Sequence, residues 1–131
     1  MIALDSSALI EVVAEQPMAD ACADVLLRSD LVISAATLAE ALIVSRRKKV
    51  ARQLDQLIEL LRLDVEDVDA AFAQRAAFAY ARWGKGFHPA DLNYGDSFSY
   101  ALAEMYACPL LYVGNDFAQT DVRSALAGEA G

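Results

Sequence analysis

Residues 2–10 read Ile-Ala-Leu-Asp-Ser-Ser-Ala-Leu-Ile, and this stretch decides the class of fold. A short apolar run is followed by an aspartate and then by apolar residues at helical spacing. Such a strand, followed by a helix that an acid can cap, is the repeating junction of α/β folds. The pattern predicts a strand over Ile2 to Leu4 and a helix over Ala8 to Ala14, with Asp5 between them.

The rest of the chain repeats this alternation of short apolar runs with longer helical segments. Further strands are predicted at Leu31 to Ile33, Leu61 to Leu63 and Leu110 to Val113. The predicted helices span Ala19 to Leu27, Ala35 to Arg47, Val50 to Leu60, Val68 to Arg82 and Gly95 to Ala107. The segment from Trp83 to Leu92 contains glycines and a proline without apolar periodicity, so we expect one extended loop there.

Composition limits the possible classes of protein. The 131 residues are 56% hydrophobic and 23% charged, which predicts one globular domain over residues 1–131 and excludes a disordered or collagen-like chain. Acidic residues outnumber basic ones by 19 to 11, for a formal charge of -8. A broad basic surface for nucleic acid is therefore unexpected, and any nucleic acid must be bound locally or through a metal ion.

The chain gives no sign of export or of membrane insertion. Its start lacks the basic segment of a signal peptide, and no apolar run approaches the length that spans a membrane. The two cysteines, Cys22 and Cys108, are too few for a disulfide framework. We therefore expect a cytoplasmic protein with no membrane partner.

Four carboxylates fall at one edge of the predicted sheet. Asp5 and Asp116 follow the first and last strands, Glu40 lies in the second turn of the helix after the second strand, and Asp96 opens the helix after the loop. The carboxyl ends of parallel strands and the amino ends of the following helices share an edge. We therefore expect these four side chains to converge.

Each acid also has a purely structural explanation. Asp5 could cap a helix, Asp96 could complete a capping box with Asn93, and Asp116 could be a turn residue. Glu40 is the exception, because it interrupts an apolar helix in which an unpaired carboxylate would be costly.

Carboxylates that lie close together raise one another's pKa unless a cation is present. Oxygen ligands without histidine or cysteine favour Mg²⁺ or Mn²⁺ over Zn²⁺, and Mg²⁺ keeps waters that can act as nucleophiles. This chemistry suits metal-assisted hydrolysis of phosphodiester bonds. The predicted metal ligands and catalytic residues are the four acids, Asp5, Glu40, Asp96 and Asp116.

Four segments together resemble PIN-domain ribonucleases of the VapC toxin type. They are residues 2–10, the Leu-Ala-Glu of residues 38–40, the Leu-Asn-Tyr-Gly-Asp-Ser-Phe-Ser-Tyr-Ala-Leu-Ala of residues 92–103, and the Leu-Leu-Tyr-Val-Gly-Asn-Asp-Phe of residues 110–117. The resemblance implies a three-layer α/β/α fold with a central, mostly parallel sheet. It also implies a Mg²⁺-dependent endoribonuclease in which the four acids bind metal, with Ser6 and Asn115 in supporting roles.

The same resemblance implies two protein partners. One is a second copy of the chain in a homodimer, and the other is a VapB-like antitoxin whose tail enters the acidic site. A basic segment is a plausible blocker of such a site, because an arginine can replace the charge of a metal ion.

Two basic segments are candidates for contact with RNA. Arg82, Trp83, Lys85 and Phe87 lie in or beside the predicted loop, and such a mixture of cations and aromatic rings suits single-stranded RNA. Trp83 or Phe87 could instead anchor the loop to the core. The basic run of residues 46–52 could bind phosphates, but we favour a solvated helix junction there.

Other functions fit the sequence less well. A response-regulator receiver needs a lysine after a late strand, whereas the last lysine here is Lys85. A phosphatase of the haloacid dehalogenase type needs a second aspartate where this chain has Ser7. A catalytically idle PIN-like module that binds RNA or protein is the remaining alternative.

Overall fold

Four parallel strands form the central sheet of the computed structural model, which describes residues 1–126. The strands are β1 (Ile2–Leu4), β2 (Leu31–Ser34), β3 (Leu63–Glu66) and β4 (Leu110–Leu111), in the order β3-β2-β1-β4. The predicted α/β class with a parallel sheet is confirmed. Residues 127–131, the end of the predicted domain, lie outside the described residues.

Six helices connect and flank the strands in the described chain. They are α1 (Ser6–Val13), α2 (Ala19–Arg28), α3 (Ala35–Arg47), α4 (Ala51–Leu60), α5 (Ala70–Trp83) and α6 (Tyr94–Tyr106), and a 3-10 turn spans Phe117–Gln119. Side chains cap four of them: Asp5 caps α1, Ser34 caps α3, Asp69 caps α5 and Asn93 caps α6. Each cap satisfies an amide that the first helical turn leaves without an acceptor.

Helices cover both faces of the sheet because successive strand residues point to opposite sides. On one face, Val32 packs in a buried cluster with Phe72 of α5 and Leu102 of α6. On the other face, Ile33 packs in a cluster with Leu54 of α4 and with residues of α1 and α2. The three-layer α/β/α arrangement is therefore confirmed.

Several predicted boundaries were wrong. The third strand was predicted at Leu61 to Leu63, but β3 spans Leu63–Glu66 and pairs with β2 from Leu31 to Ser34. As an edge strand, β3 carries charged residues, so an apolar run was the wrong signal for it. The last strand ends at Leu111 rather than Val113, and Trp83 is the final residue of α5 rather than part of the loop.

No helix within residues 1–126 combines the length and the apolar character that crossing a membrane requires.

Candidate functional site

Asp5 lies where β1 meets α1, and its carboxylate is almost completely buried, with 4% of the residue exposed. One oxygen, Oδ2, accepts hydrogen bonds from the backbone amide and the hydroxyl of Ser7, at 3.1 and 2.6 Å. The other, Oδ1, accepts from the Ser99 hydroxyl of α6 at 2.6 Å. Asp5 is thus both a helix cap and a carboxylate fixed by groups from two helices.

Glu40 projects from α3 towards the start of α6. Its Oε1 accepts a hydrogen bond from the Ser6 hydroxyl at 2.8 Å. A Cβ atom at Gly95 would lie 2.6 Å from its Oε2, closer than a side chain can approach. The absence of a side chain at Gly95 therefore lets Glu40 reach the turn that carries Asp96.

Asp96 occupies the third position of α6 in a complete capping box. Its Oδ2 accepts from the amide of Asn93 at 3.1 Å, and its own amide donates to Asn93 Oδ1 at 2.8 Å. The capping role considered from the sequence is therefore present. It does not exclude a second role, because one carboxylate oxygen is not needed for the cap.

The pKa of Asp96 responds to the other three predicted acids. It is raised from its ordinary 3.8 to about 6: burial is the largest cause, the hydrogen bond from the Asn93 amide acts in the opposite direction, and the negative charges of Asp5, Asp116 and Glu40 add smaller increases. The four predicted acids, which follow β1, lie in α3 and α6, and follow β4, thus interact electrostatically without forming a ready-made set of metal ligands. We call this group the acidic cleft.

Asp116 is the most accessible member of the acidic cleft. It precedes the 3-10 turn that follows β4, and it is exposed, as is its neighbour Asn115. The backbone carbonyl of Asn115 accepts a hydrogen bond from the amide of Ala118 at 3.2 Å, which helps to form the turn. A supporting role for the Asn115 side chain stays a prediction.

The donor chemistry of the acidic cleft fits a hard divalent cation. Carboxylate oxygens are the ligands that Mg²⁺ and Mn²⁺ prefer, and a cation would relieve the repulsion that raises the pKa of Asp96. The site is not a finished coordination sphere, however. Within residues 1–126, no three histidine, cysteine, aspartate or glutamate side chains are already gathered as a metal-binding group.

Of the serines that contact the acidic cleft, the sequence predicted only one. Ser6, the predicted supporting hydroxyl, holds Glu40. Sequence patterns did not single out Ser7 or Ser99, which hold Asp5, and Ser7 Oγ also accepts from the amide of Val113 beyond β4. A fully buried hydroxyl in an otherwise apolar helix, as at Ser99, is the signal that could have identified it.

Two of the four residues predicted to contact RNA are engaged within the protein. Arg82 lies 3.3 Å from Asp121, and its guanidinium stacks 4.6 Å over the Trp83 ring. Trp83 is half-buried and packs edge-on against His88. Trp83 therefore anchors the loop, the alternative left open by the sequence.

The other two predicted RNA contacts, Lys85 and Phe87, are exposed. The Phe87 ring rests edge-on against Tyr80, with 6.1 Å between the ring centroids. Contact of these loop residues with RNA stays a prediction.

The sequence profile of the PIN domain matches residues 2–123. The chain belongs to the PIN-domain family. Within this family it is similar to ribonuclease VapC28 of Mycobacterium tuberculosis, with 44% identity over 128 residues that cover 94% of this chain and 96% of the relative. Ribonuclease VapC42 of the same organism is 39% identical over 127 residues, covering 93% and 97%. The chain is therefore a PIN domain of the VapC type, and the resemblance found in its motifs is confirmed.

Solved structures of PIN-domain toxins share the fold. VapC20 of Mycobacterium tuberculosis, described as a toxin that cleaves the sarcin-ricin loop, superposes with a TM-score of 0.76 over 93% of this chain and 96% of that chain, at 16% identity. A toxin-antitoxin complex from Klebsiella pneumoniae gives a TM-score of 0.69 over 92% and 93%, also at 16% identity.

Proposed function

We propose that this protein is a metal-dependent endoribonuclease and the toxin of a toxin–antitoxin pair. Its relatives are VapC ribonucleases that align over nearly the whole chain. The observation that carries the catalytic part is the acidic cleft, in which burial and, to a smaller extent, the charges of three other carboxylates raise the pKa of Asp96. Such a cleft attracts a divalent cation and, without one, repels RNA.

Asp5, Glu40, Asp96 and Asp116 would hold the metal ion. A bound Mg²⁺ or Mn²⁺ supplies an activated water and neutralises charge on the phosphate, which is the chemistry that phosphodiester hydrolysis requires. The chain's own hydroxyls keep the ligands in place, since Ser7 and Ser99 donate to Asp5 and Ser6 donates to Glu40.

The protonation of Asp96 should make metal binding and activity depend on pH. Because its pKa is about 6, it loses its proton fully only above that value, and metal binding should strengthen as the pH rises through that range. We therefore expect activity to be weak in mildly acidic solution and full at neutral pH.

A cleavage assay tests this function. Purified protein is incubated with single-stranded and structured RNAs in Mg²⁺ or Mn²⁺, beside EDTA and an Asp96→Asn variant. Metal-dependent cuts that disappear in both controls are expected. Asp55→Asn removes an exposed acid from α4 and should cleave normally. Cuts that persist in Asp96→Asn would show that another activity, or a contaminant, is responsible.

The second candidate function is a catalytically idle PIN-like module that binds RNA or protein. One observation favours it: in the part of the chain described here, no three potential ligands are already gathered around a metal position. The same assay separates the two functions. An idle module leaves every RNA intact in Mg²⁺ and Mn²⁺, and Asp96→Asn does not change its binding to a partner.

The proposed partners are a VapB-like antitoxin and a second copy of this chain. A related fold occurs in a complex described as a toxin-antitoxin complex. The acidic cleft is complementary to a basic antitoxin segment, and the exposed rings of Phe78 and Tyr94, each about three-quarters accessible, give α5 and α6 an apolar surface for a subunit contact. We expect this pair to act in the cytoplasm.

Co-purification with a candidate VapB-like protein, followed by light scattering of each species, tests both partners. A toxin that elutes alone and as a monomer would contradict the proposal.

A further inference from the structure

The positive charge of this acidic protein is concentrated in one place. Five of its 11 lysines and arginines lie within residues 46–52, and no acidic residue occurs between positions 41 and 54. This segment ends α3 and begins α4. We call it the basic turn, and its cations are Arg46, Arg47, Lys48, Lys49 and Arg52.

The cations of the basic turn have no acidic partner in the part of the chain that the structure describes. All five are exposed. Only Arg46 makes a side-chain hydrogen bond, to the backbone carbonyl of Leu42 at 3.0 Å. Elsewhere, by contrast, Arg62 and Arg75 lie 3.5 and 3.9 Å from acidic partners. This exposure agrees with a solvated helix junction, but it also leaves the cations available to bind an anion.

Two surface grooves connect the basic turn with Glu40 of the acidic cleft. One, of about 330 Å³, runs between α3 and α6 and is lined by Glu40, Arg47 and Tyr94. The other, of about 390 Å³, runs between α1 and α3 and is lined by Ser6, Glu40 and Lys48. Glu40 lines both grooves, and Arg47 lies seven positions after it, a rise of about 10 Å along the helix.

We propose that the basic turn binds the phosphates of the RNA strand next to the cleavage site, with Arg47 and Lys48 closest to the scissile bond. This inference rests on the proposed ribonuclease function. An acidic cleft repels a polyanion, so adjacent unpaired cations supply the attraction that holds the strand across it. Contacts to phosphates set the position of the strand without reading its sequence.

The preference for a helix junction, stated from the sequence, is thereby reversed. The sequence showed a charge run, whereas the structure adds that these cations have no ion-pair partner within residues 1–126 and that two grooves connect them with Glu40. An acidic protein segment would match the charge of the basic turn, but it would not explain the grooves that lead to Glu40.

The test measures RNA binding without cleavage. The full chain carrying Asp96→Asn is titrated, in EDTA and at several KCl concentrations, against a short fluorescein-labelled single-stranded RNA of mixed sequence. Adding Arg47→Gln and Lys48→Gln should lower the slope of log affinity against log salt by about 1.4, since each lost phosphate contact contributes about 0.7. Near physiological salt this corresponds to roughly tenfold weaker binding.

A matched control removes the same charge elsewhere. Arg62→Gln with Arg75→Gln, in the same Asp96→Asn background, should leave affinity and salt slope close to those of the parent. Thermal melting followed by circular dichroism checks that both double variants fold.

Equal effects of the two double variants on the salt slope would overturn the proposal, because net charge alone would then explain binding. Unchanged RNA binding with loss of binding to a labelled polyglutamate peptide would also overturn it and assign the basic turn to an acidic protein. The proposed ribonuclease function fails separately, by a lack of metal-dependent cleavage in the assay above.

Discussion

Asp96→Asn is expected to stabilise the metal-free protein at neutral pH while it removes cleavage. In the folded chain, burial and three neighbouring acids disfavour the charged form of Asp96, and the substitution removes that charge. The new amide oxygen can still accept the hydrogen bond from Asn93, so the capping box of α6 is kept.

The size of the stabilisation follows from the pKa of Asp96. A rise from 3.8 to about 6 corresponds to about 3 kcal/mol if the site is fully shielded from water. Asp96 is only half-buried, so solvent screening reduces the expected gain to about 1 to 2 kcal/mol.

The raised pKa of Asp96 also determines whether the free energy of unfolding rises or falls with pH. Between pH 3.8 and about 6 the folded chain holds the Asp96 proton more tightly than the unfolded chain. The free energy of unfolding of the wild type therefore falls as pH rises through this window, and the loss is complete above it. The stability of Asp96→Asn does not depend on this titration. The variant should therefore be more stable than the wild type by the full amount at neutral pH and no more stable below pH 3.8.

Urea denaturation in EDTA at about pH 7.5 and about pH 4 measures this difference. Asp55→Asn, an exposed acid on α4, is the control, and its difference from wild type should be small at both pH values. If Asp96→Asn is less stable than wild type at neutral pH, or if its effect is independent of pH, then the acids do not share one site and the argument for the acidic cleft is refuted.

Three further predictions concern the ligands of the acidic cleft. Mg²⁺ at a hundred times its dissociation constant should stabilise the wild type by about 2.7 kcal/mol in thermal unfolding, and an equal shift in Asp96→Asn would argue against metal binding there. Gly95→Ala places a Cβ 2.6 Å from Glu40 Oε2, so cleavage should fall by up to about a hundredfold while the fold, checked by circular dichroism, is retained. Ser99→Ala leaves Asp5 Oδ1 buried without its donor and should cost about 1 to 3 kcal/mol in urea denaturation, whereas Ser6→Ala, beside the half-buried Glu40, should cost less.

Much of the fold was predictable because a central strand that is buried on both faces is apolar at every position. In β2, Val32 faces one helical layer while Leu31 and Ile33 face the other, so the strand is apolar throughout and visible as an uninterrupted run. The edge strand β3 has a partner on one side only and carries Asp64 and Glu66, so the same signal missed its extent.

The acids of the site were predictable for a topological reason, since parallel strands deliver their carboxyl ends to one edge. The contact of the Ser99 hydroxyl with Asp5 was not predictable, because Ser99 lies 94 positions away along the chain and the contact depends on how α6 packs. The ion pair between Arg82 and Asp121 is similarly non-local, and it occupies a cation that looked available from the sequence.

The hydrogen bonds of Asp5 have a consequence for cooperativity. Ser7 reaches it from the helical layer on one face of the sheet, and Ser99 reaches it from the layer on the other. One strand-end carboxylate therefore links the hydrophobic cores on the two faces of the sheet, and partial unfolding of either layer breaks the same junction. A ligand that holds this carboxylate should slow amide hydrogen exchange in both layers at once, including in helices that it never touches.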